Sequence, residues 1–196
     1  MHGASIEDMD PRLENEPIRR FTALEFRKLV HQGWFEGEAI ELLYGQIVPM
    51  TPQGDEHWNL SRVLMHLLAR ALPIERYGIA AHSPFAASVD SMPEPDLLVF
   101  DAARGRRGIP DEALLAVEVA MSSLRRDRTA KLPLYATAGI PEYWIVVAPA
   151  REVEIYTEPR NGTYMHMERI GIDGVLRPLF DPSIEIAMSS LPWLAS

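Results

Sequence analysis

Two apolar segments that each contain a single carboxylate constrain this chain more than any other feature. The segment PDLLVF contains Asp96, and the segment LLAVEVAM contains Glu118. Both segments are typical of buried strands, where an ionised carboxylate is costly unless a cation or hydrogen bonds compensate it. If the two strands are neighbours in one sheet, their carboxylates can converge at one end of it. Two such carboxylates, completed by water, are oxygen ligands of the kind that Mg²⁺ prefers.

A basic segment follows the second strand and ends at Lys131. A turn at Ser122 and Ser123 would bring the next helix back over the end of the strand, and with it the lysine ammonium group. A lysine beside a divalent-metal site can polarise a scissile phosphate, so the pattern indicates phosphodiester hydrolysis. The alternatives are a structurally satisfied carboxylate for Glu118, a turn residue for Asp96 and a solvated lysine.

Further candidate residues lie before and after Asp96 and Glu118 in the sequence. Glu41, in an apolar hairpin, could complete the metal shell or support it as a base, and the alternative is a charge at a strand edge. His57, at the start of the second predicted helix, could contact substrate or only cap the helix. Arg125 and Arg128, together with Arg126, could contact phosphates, although such charge runs also occur on solvated helix faces.

Composition excludes several other classes of site. The chain has no cysteine, which excludes disulfides and thiolate metal ligands, and its six histidines show no i, i+4 ligand spacing that would favour a zinc hydrolase. The formal net charge of −9 counts against a protein that coats nucleic acid, but not against a nuclease with local basic patches. Without a membrane-length apolar run or a signal peptide, we expect a cytoplasmic protein with no membrane contact.

Local patterns predict a mixed α/β chain. Residues 1–18 are expected to form a disordered N-terminal tail, and residues 19–196 a single domain. A capping box at Thr22 predicts a first helix that ends near Gly33. Pro73 should end the second helix.

The segment between the two predicted strands LLAVEVAM and YWIVVA is helical in pattern from Ser122 to Ala138. Pro133 fits the first turn of a helix better than its interior. The regular helix is therefore expected to begin near Lys131, with Ser122 to Asp127 as an irregular approach. Two further strands are expected to form a hairpin through Arg160, Asn161 and Gly162.

The segments PEPDLLVF, LLAVEVAMSSLRRDRTAKLPLYATAGIPEYWIVV and IELLYGQIVPMTPQGDEH resemble the Uma2 family (formerly DUF820) of restriction endonucleases, in the PD-(D/E)XK nuclease superfamily. The resemblance runs from about Phe21 to Leu191. It implies a restriction-endonuclease-like fold, with a central mixed β-sheet flanked by helices, and hydrolysis of phosphodiester bonds with Mg²⁺ or Mn²⁺.

Carried over to this sequence, the resemblance implies that Asp96 is the motif aspartate and Glu118 the motif acid, both as metal ligands. It implies that Lys131 is the motif lysine moved onto the following helix, because Ala120 stands two residues after Glu118, where the lysine usually lies.

Two more positions match the family pattern and one departs from it. Glu41 matches the N-terminal acidic position, and His57 the recurrent histidine before the second helix. Met121 stands where many relatives have an aspartate. This change removes a carboxylate close to Glu118.

The leading hypothesis is a metal-dependent endonuclease acting on nucleic acid, with DNA as the favoured substrate and a homodimer expected by analogy with two-fold symmetric cutters. The alternative is a catalytically silent nuclease fold that acts as a binding module, which the acidic charge and Met121 favour. A third reading is a hydrolase of small phosphodiesters on the same site.

Overall fold

The computed structural model describes residues 17–104 and 108–193. Residues 1–16 of the predicted N-terminal tail lie outside this range, and the domain boundary at residue 19 stays a prediction. The helices are α1 (Ala23–His31), α2 (Asp55–Ala71), α3 (Leu124–Arg126) and α4 (Leu132–Thr137), with a π-helical turn at Asp127–Lys131. The strands are β1 (Ile40–Leu43), β2 (Gln46–Pro49), β3 (Tyr77–Ala81), β4 (Leu97–Asp101), β5 (Leu115–Ala120), β6 (Glu142–Val147), β7 (Glu152–Arg160), β8 (Thr163–Ile170), β9 (Val175–Leu176) and β10 (Ile186–Ala187).

A six-stranded sheet forms the centre, in the order β3-β4-β5-β6-β7-β8. β5 and β6 are parallel, because α3 and α4 cross over between them, and the other neighbours are antiparallel. Every residue of β5 is buried, as its continuous apolar sequence predicts. β4 and β5 are adjacent, with Leu97 opposite Val117. The predicted mixed α/β fold and the predicted pairing of these strands are confirmed.

The core lies on both faces of this sheet. On one face α2 packs Leu60, Leu64 and Leu68 against residues of the central strands. On the other face α4 contributes Tyr135, which packs at a ring-centroid distance of 5.0 Å from Tyr143 of β6. Alternate residues of each strand therefore contact different helices, which is the layered arrangement expected of helices flanking a buried sheet.

The predicted helix and hairpin ends agree closely with the structure. Thr22 caps α1, and its hydroxyl and the Glu25 carboxylate satisfy each other's backbone N–H groups. α1 ends at His31, just before Gly33, and α2 ends at Ala71, before Pro73. The β7–β8 hairpin turns through Asn161 and Gly162, whose positive φ angles of 51° and 75° fit a type I′ turn.

The helical segment after β5 agrees with the expectation in part, because the regular helix α4 begins at Leu132, directly after Lys131. Ser122 to Asp127 is not an irregular approach throughout, because Leu124–Arg126 are helical; the irregularity is the π-helical turn that follows them. Pro133 has no N–H group and its ring would clash with the carbonyl of Thr129 in a regular helix. The chain widens instead, and the N–H of Leu132 donates to the carbonyl of Asp127.

Glu142 in β6 gives the folded state a pH dependence. Its carboxylate is buried and accepts hydrogen bonds of 2.7 Å from Trp144 Nε1 and from the backbone N–H of Leu179. Burial outweighs these bonds and raises the pKa of Glu142 from 4.5 to about 6. Because the folded state binds this proton more tightly than the unfolded state, the associated stability is present below pH 4.5 and is lost as the pH rises through 6.

Between pH 4.5 and pH 7 the free energy of unfolding is therefore expected to fall by about 2 kcal/mol more in the wild type than in Glu142→Gln. Urea unfolding of both proteins across this range measures the difference, and the other titrating groups cancel because both proteins contain them. Parallel pH curves would show that Glu142 is not perturbed.

No helix in the described part of the chain is both long and apolar enough to cross a membrane.

Candidate active site

Five of the seven sequence-predicted site residues line one pocket beside the adjoining parts of β4 and β5. They are Glu41, His57, Asp96, Glu118 and Lys131. Asp96 directly precedes β4 and Glu118 lies within β5, so the antiparallel pairing of the two strands brings both carboxylates to this pocket. The hairpin of β1 and β2 adds Glu41, the first turn of α2 adds His57, and the π-helical turn adds Lys131.

Asp96 is held by donors from three parts of the chain. Its Oδ2 accepts a 2.7 Å hydrogen bond from the backbone N–H of Val119 and lies 3.0 Å from His57 Nε2. Its Oδ1 accepts a 3.1 Å bond from Gln53 Nε2 and lies 3.5 Å from His82 Nδ1. The bond from Val119 ties Asp96 directly to β5, one residue from Glu118. These contacts hold the carboxylate in a fixed orientation.

Glu118 is a buried carboxylate whose ionised form is disfavoured by its surroundings. Only 5% of it is exposed, and its Oε1 accepts hydrogen bonds of 2.9 Å from Lys131 Nζ and 2.7 Å from Tyr135 Oη. Burial raises its pKa well above the usual 4.5, and the nearby Asp96 carboxylate adds to this, although the Lys131 ammonium opposes it. Among the described residues, Glu118 Oε2 accepts no hydrogen bond, so this oxygen is left for a ligand.

Lys131 lies between two buried carboxylates. Its Nζ is 2.9 Å from Glu118 Oε1 and 3.2 Å from Glu41 Oε2. Burial alone would lower the pKa of Lys131, but the Glu118 and Glu41 carboxylates outweigh burial and raise it, so the ammonium group stays charged. Glu41 also accepts a 3.3 Å hydrogen bond from the backbone N–H of Glu94. Glu41 is therefore a second carboxylate partner of Lys131, in addition to Glu118.

The pocket carries an excess of negative charge. Its lining contains five carboxylates, from Glu41, Glu94, Asp96, Glu118 and Asp127. It contains two permanent cations, Arg126 and Lys131, which gives a formal charge of −3 when all five carboxylates are ionised. The pKa of Glu94 and that of Asp127 are both raised, in each case mainly by burial. A bound divalent cation would offset this charge.

The two arginines that were predicted to contact substrate, Arg125 and Arg128, do not line this pocket. Arg125 is exposed and does not line the pocket. Arg128 is bonded to Glu154 of β7 by its Nε at 2.9 Å and its second terminal nitrogen at 2.5 Å. Burial raises the pKa of Glu154, but hydrogen bonds from Arg128, Tyr156 and Arg169 outweigh burial and hold it at about 2. Substrate contact by Arg125 and Arg128 stays a prediction.

The sequence analysis names Arg126 only as part of the basic segment, and it misses three other polar residues of this site: Asp127, Gln53 and His82. Arg126 lines the pocket, where one terminal nitrogen donates to the Pro49 carbonyl at 2.9 Å and lies 3.7 Å from Glu41 Oε1. Asp127 accepts a 2.7 Å bond from the Ser123 hydroxyl, and Gln53 and His82 contact Asp96. Arg126 and Lys131 are five residues apart, a spacing that a regular helix does not align. No local pattern marks the other three residues.

The donor set fits a hard divalent cation. No group of three or more His, Cys, Asp or Glu side chains in residues 17–104 and 108–193 is arranged to hold a metal ion. Mg²⁺, however, is commonly bound through one or two protein carboxylates, with water and substrate phosphates completing its shell. Asp96 and Glu118 supply two carboxylates in a pocket with excess negative charge, and the absence of cysteine leaves only oxygen and imidazole donors.

Comparisons with known proteins point in the same direction. The model of the Uma2 family, described as "Putative restriction endonuclease", matches residues 25–189. A crystal structure from Anabaena variabilis ATCC 29413, described as "a putative nuclease belonging to DUF820", has a TM-score of 0.69 to this chain at 18% sequence identity. The alignment covers 89% of this chain and 97% of that one, so the two share a fold over almost their full lengths. No curated protein is significantly similar to this chain.

Proposed function

This chain belongs to the Uma2 family, and from that premise we propose that it is a metal-dependent nuclease that hydrolyses phosphodiester bonds of nucleic acid. One observation carries the proposal: the carboxylates of Asp96 and Glu118 line one pocket from adjacent strands, with the buried ammonium group of Lys131 2.9 Å from Glu118. DNA as the substrate, a homodimeric state and cytoplasmic location stay predictions from the sequence.

In this proposal Asp96 and Glu118 hold Mg²⁺ or Mn²⁺. A divalent cation supplies Lewis-acid activation of water and offsets the charge that develops on the scissile phosphate. Contacts with Val119, His57 and Gln53 keep the Asp96 carboxylate oriented before any ligand binds. This preorganisation reduces the rearrangement that binding requires.

The cations of the pocket act on the phosphate. Lys131 is expected to exchange part of its contact with Glu118 for a phosphate oxygen, while Glu41 keeps its ammonium group in place. Arg126, which is half-buried at the pocket wall, is the second group within the pocket that can pair with a phosphate. His57 contacts Asp96 and acts here as a positioning residue, and its contact with substrate stays a prediction.

The second candidate function is a nuclease fold that binds a partner without catalysis. Its specific support is that Glu118 is already bonded to Lys131 and Tyr135, while no three-ligand metal group occurs among the described residues. In that case the ion pair of Lys131 and Glu118 would be a structural feature of the core. Metal binding separates the two functions.

The test is a calorimetric titration of Mn²⁺ into the wild type, Glu118→Ala and Glu168→Ala. Glu168 is an exposed glutamate of β8 and does not line the pocket, so it controls for the loss of one acidic side chain. We expect binding in the wild type and in Glu168→Ala, and at least a tenfold loss of affinity in Glu118→Ala. Cleavage of nucleic acid with Mg²⁺ or Mn²⁺ is then measured with the same three proteins.

Equal Mn²⁺ binding in wild type and Glu118→Ala would contradict the assigned metal site. No binding by the wild type, even with nucleic acid present to supply phosphate ligands, would favour the silent binding module.

A further inference from the structure

An exposed tryptophan lies one residue from the candidate active site. Trp58 of α2 follows His57, which contacts Asp96, and 57% of Trp58 is exposed. The guanidinium carbon of Arg62, one helical turn later, lies 5.2 Å from the centroid of the Trp58 ring system. Arg62 also donates a 2.9 Å hydrogen bond to Asn59 Oδ1, which holds the guanidinium group in place. An exposed indole beside a guanidinium group is the kind of surface on which nucleobases stack.

A cavity of about 230 Å³ opens beside this tryptophan. Its lining is Trp58, Ser61, Arg62, Met65, Ala81, His82 and Leu97. Ser61 is only 3% exposed, and its hydroxyl is buried with no hydrogen-bond partner among the described residues. Buried polar groups are nearly always paired, so an unpaired hydroxyl on a residue that lines a cavity calls for a partner there, from water or from a ligand.

His82 connects this cavity to the candidate active site. It lines the cavity, and its Nδ1 lies 3.5 Å from Asp96 Oδ1 and 3.4 Å from Gln53 Nε2. Its φ angle of 45° places the backbone in the left-handed region, which few non-glycine residues adopt. Leu97, which also lines the cavity, directly follows Asp96 in the sequence. A group bound in the cavity therefore lies next to any phosphate bound at Asp96.

We propose that this cavity is a subsite for one unpaired nucleobase of the substrate, stacked on Trp58 and hydrogen-bonded to Ser61. The inference rests on the proposed nuclease function and specifies its substrate. Met65, Ala81 and Leu97 supply the apolar contacts that a flat ring needs, and the volume is smaller than a site for a drug-sized ligand.

Charge and base stacking define the bound nucleotide further. A second surface depression beside Trp58 is lined by Asp55 and Glu56. These carboxylates repel phosphate, so the nucleic-acid backbone is expected on the side of Trp58 where Arg62 lies. A base inside a duplex is covered on both faces by its neighbours. The base that stacks on Trp58 must therefore come from a single strand or be turned out of a duplex.

The test measures binding of a fluorescent single-stranded oligothymidylate of about eight nucleotides by anisotropy, without added metal. Trp58→Leu should weaken binding about 5- to 150-fold, the range expected for loss of one base stack. Trp34→Leu is the matched control, because Trp34 is 69% exposed and lines none of these cavities. Ser61→Ala should weaken binding about 2- to 13-fold without lowering the melting temperature, since its hydroxyl has no partner in the free protein.

Abasic substitutions along the oligonucleotide identify the stacked base. In the wild type, an abasic substitution at one position should weaken binding as much as Trp58→Leu does. In Trp58→Leu, the same abasic substitution should not weaken binding further. Absence of wild-type binding, equal binding by Trp58→Leu, or the lack of a sensitive position would overturn the subsite.

Cleavage of the same oligonucleotide separates this inference from the proposed function. Glu118-dependent cleavage with an unchanged KM in Trp58→Leu would support the nuclease and refute the subsite. Trp58-dependent binding without any metal-dependent cleavage would support the subsite and refute the nuclease.

Discussion

Replacing Lys131 by methionine is expected to abolish metal-dependent cleavage and to lower the free energy of unfolding by about 3–5 kcal/mol. Lys131 is 5% exposed and is the cation that lies within 3.2 Å of both Glu118 and Glu41. Methionine keeps much of the aliphatic volume but leaves two buried carboxylates without that charge. Urea unfolding measures the loss of stability, and the cleavage assay measures the loss of activity.

Two controls separate the ion pairs from a general effect of removing a lysine. Lys28→Met changes an exposed lysine in the last turn of α1, and should alter the free energy of unfolding by less than about 0.5 kcal/mol. The triple variant Lys131→Met, Glu118→Gln, Glu41→Gln removes the buried charges together and should recover much of the lost stability without recovering cleavage. If Lys131→Met were as stable as the wild type, the two carboxylates would have to be protonated or solvated in the folded protein.

The same ion pairs carry an electrostatic cost in the ligand-free fold. Glu118 is buried with a raised pKa, so its ionised form is unfavourable in the ligand-free fold despite Lys131. Asp96 and Asp127 add to the electrostatic cost of ionising Glu118. Groups with strongly perturbed pKa values cluster at functional sites, so this cost supports the proposed cation and phosphate site.

The central sheet and the meeting of the two carboxylates were predictable for a physical reason. A single acidic residue in an otherwise apolar strand is rare, because it must be compensated, and this limits where the strand can lie. The pairing of β4 with β5 follows from two adjacent buried strands and brings Asp96 to within 2.7 Å of the Val119 amide.

The contributions of Asp127, Gln53 and His82, and the approach of Arg126 to the pocket that contains Lys131, were not predictable in the same way. The π-helical turn changes which side chains of the basic segment align with Lys131, and it arises from the interaction of Pro133 with the preceding turn. Gln53 and His82 reach Asp96 from outside the helices and strands, through contacts between residues distant in sequence. Met121 also lines the pocket, but Asp127 supplies a buried carboxylate six residues later.

Asp96→Asn is expected to reduce cleavage by at least about 10³-fold while leaving the fold intact. Loss of a metal-binding carboxylate removes several kcal/mol of transition-state stabilisation, and about 4 kcal/mol corresponds to a thousandfold change in rate. An asparagine at this position can keep the hydrogen bonds of the carboxylate. Its oxygen can accept the bonds from Val119 and His57, and its amide can donate to Gln53 if the Gln53 amide turns to present its oxygen.

The melting temperature of Asp96→Asn should therefore stay within about 4 °C of the wild type, which corresponds to roughly 1 kcal/mol for a chain of this length. Asp173→Asn, at an exposed turn, controls for the loss of one charge. Undiminished cleavage by Asp96→Asn would exclude Asp96 as a metal ligand. A large loss of stability would instead assign the carboxylate to the hydrogen-bond network that joins β4, β5 and α2, because only a structural role requires both oxygens to accept.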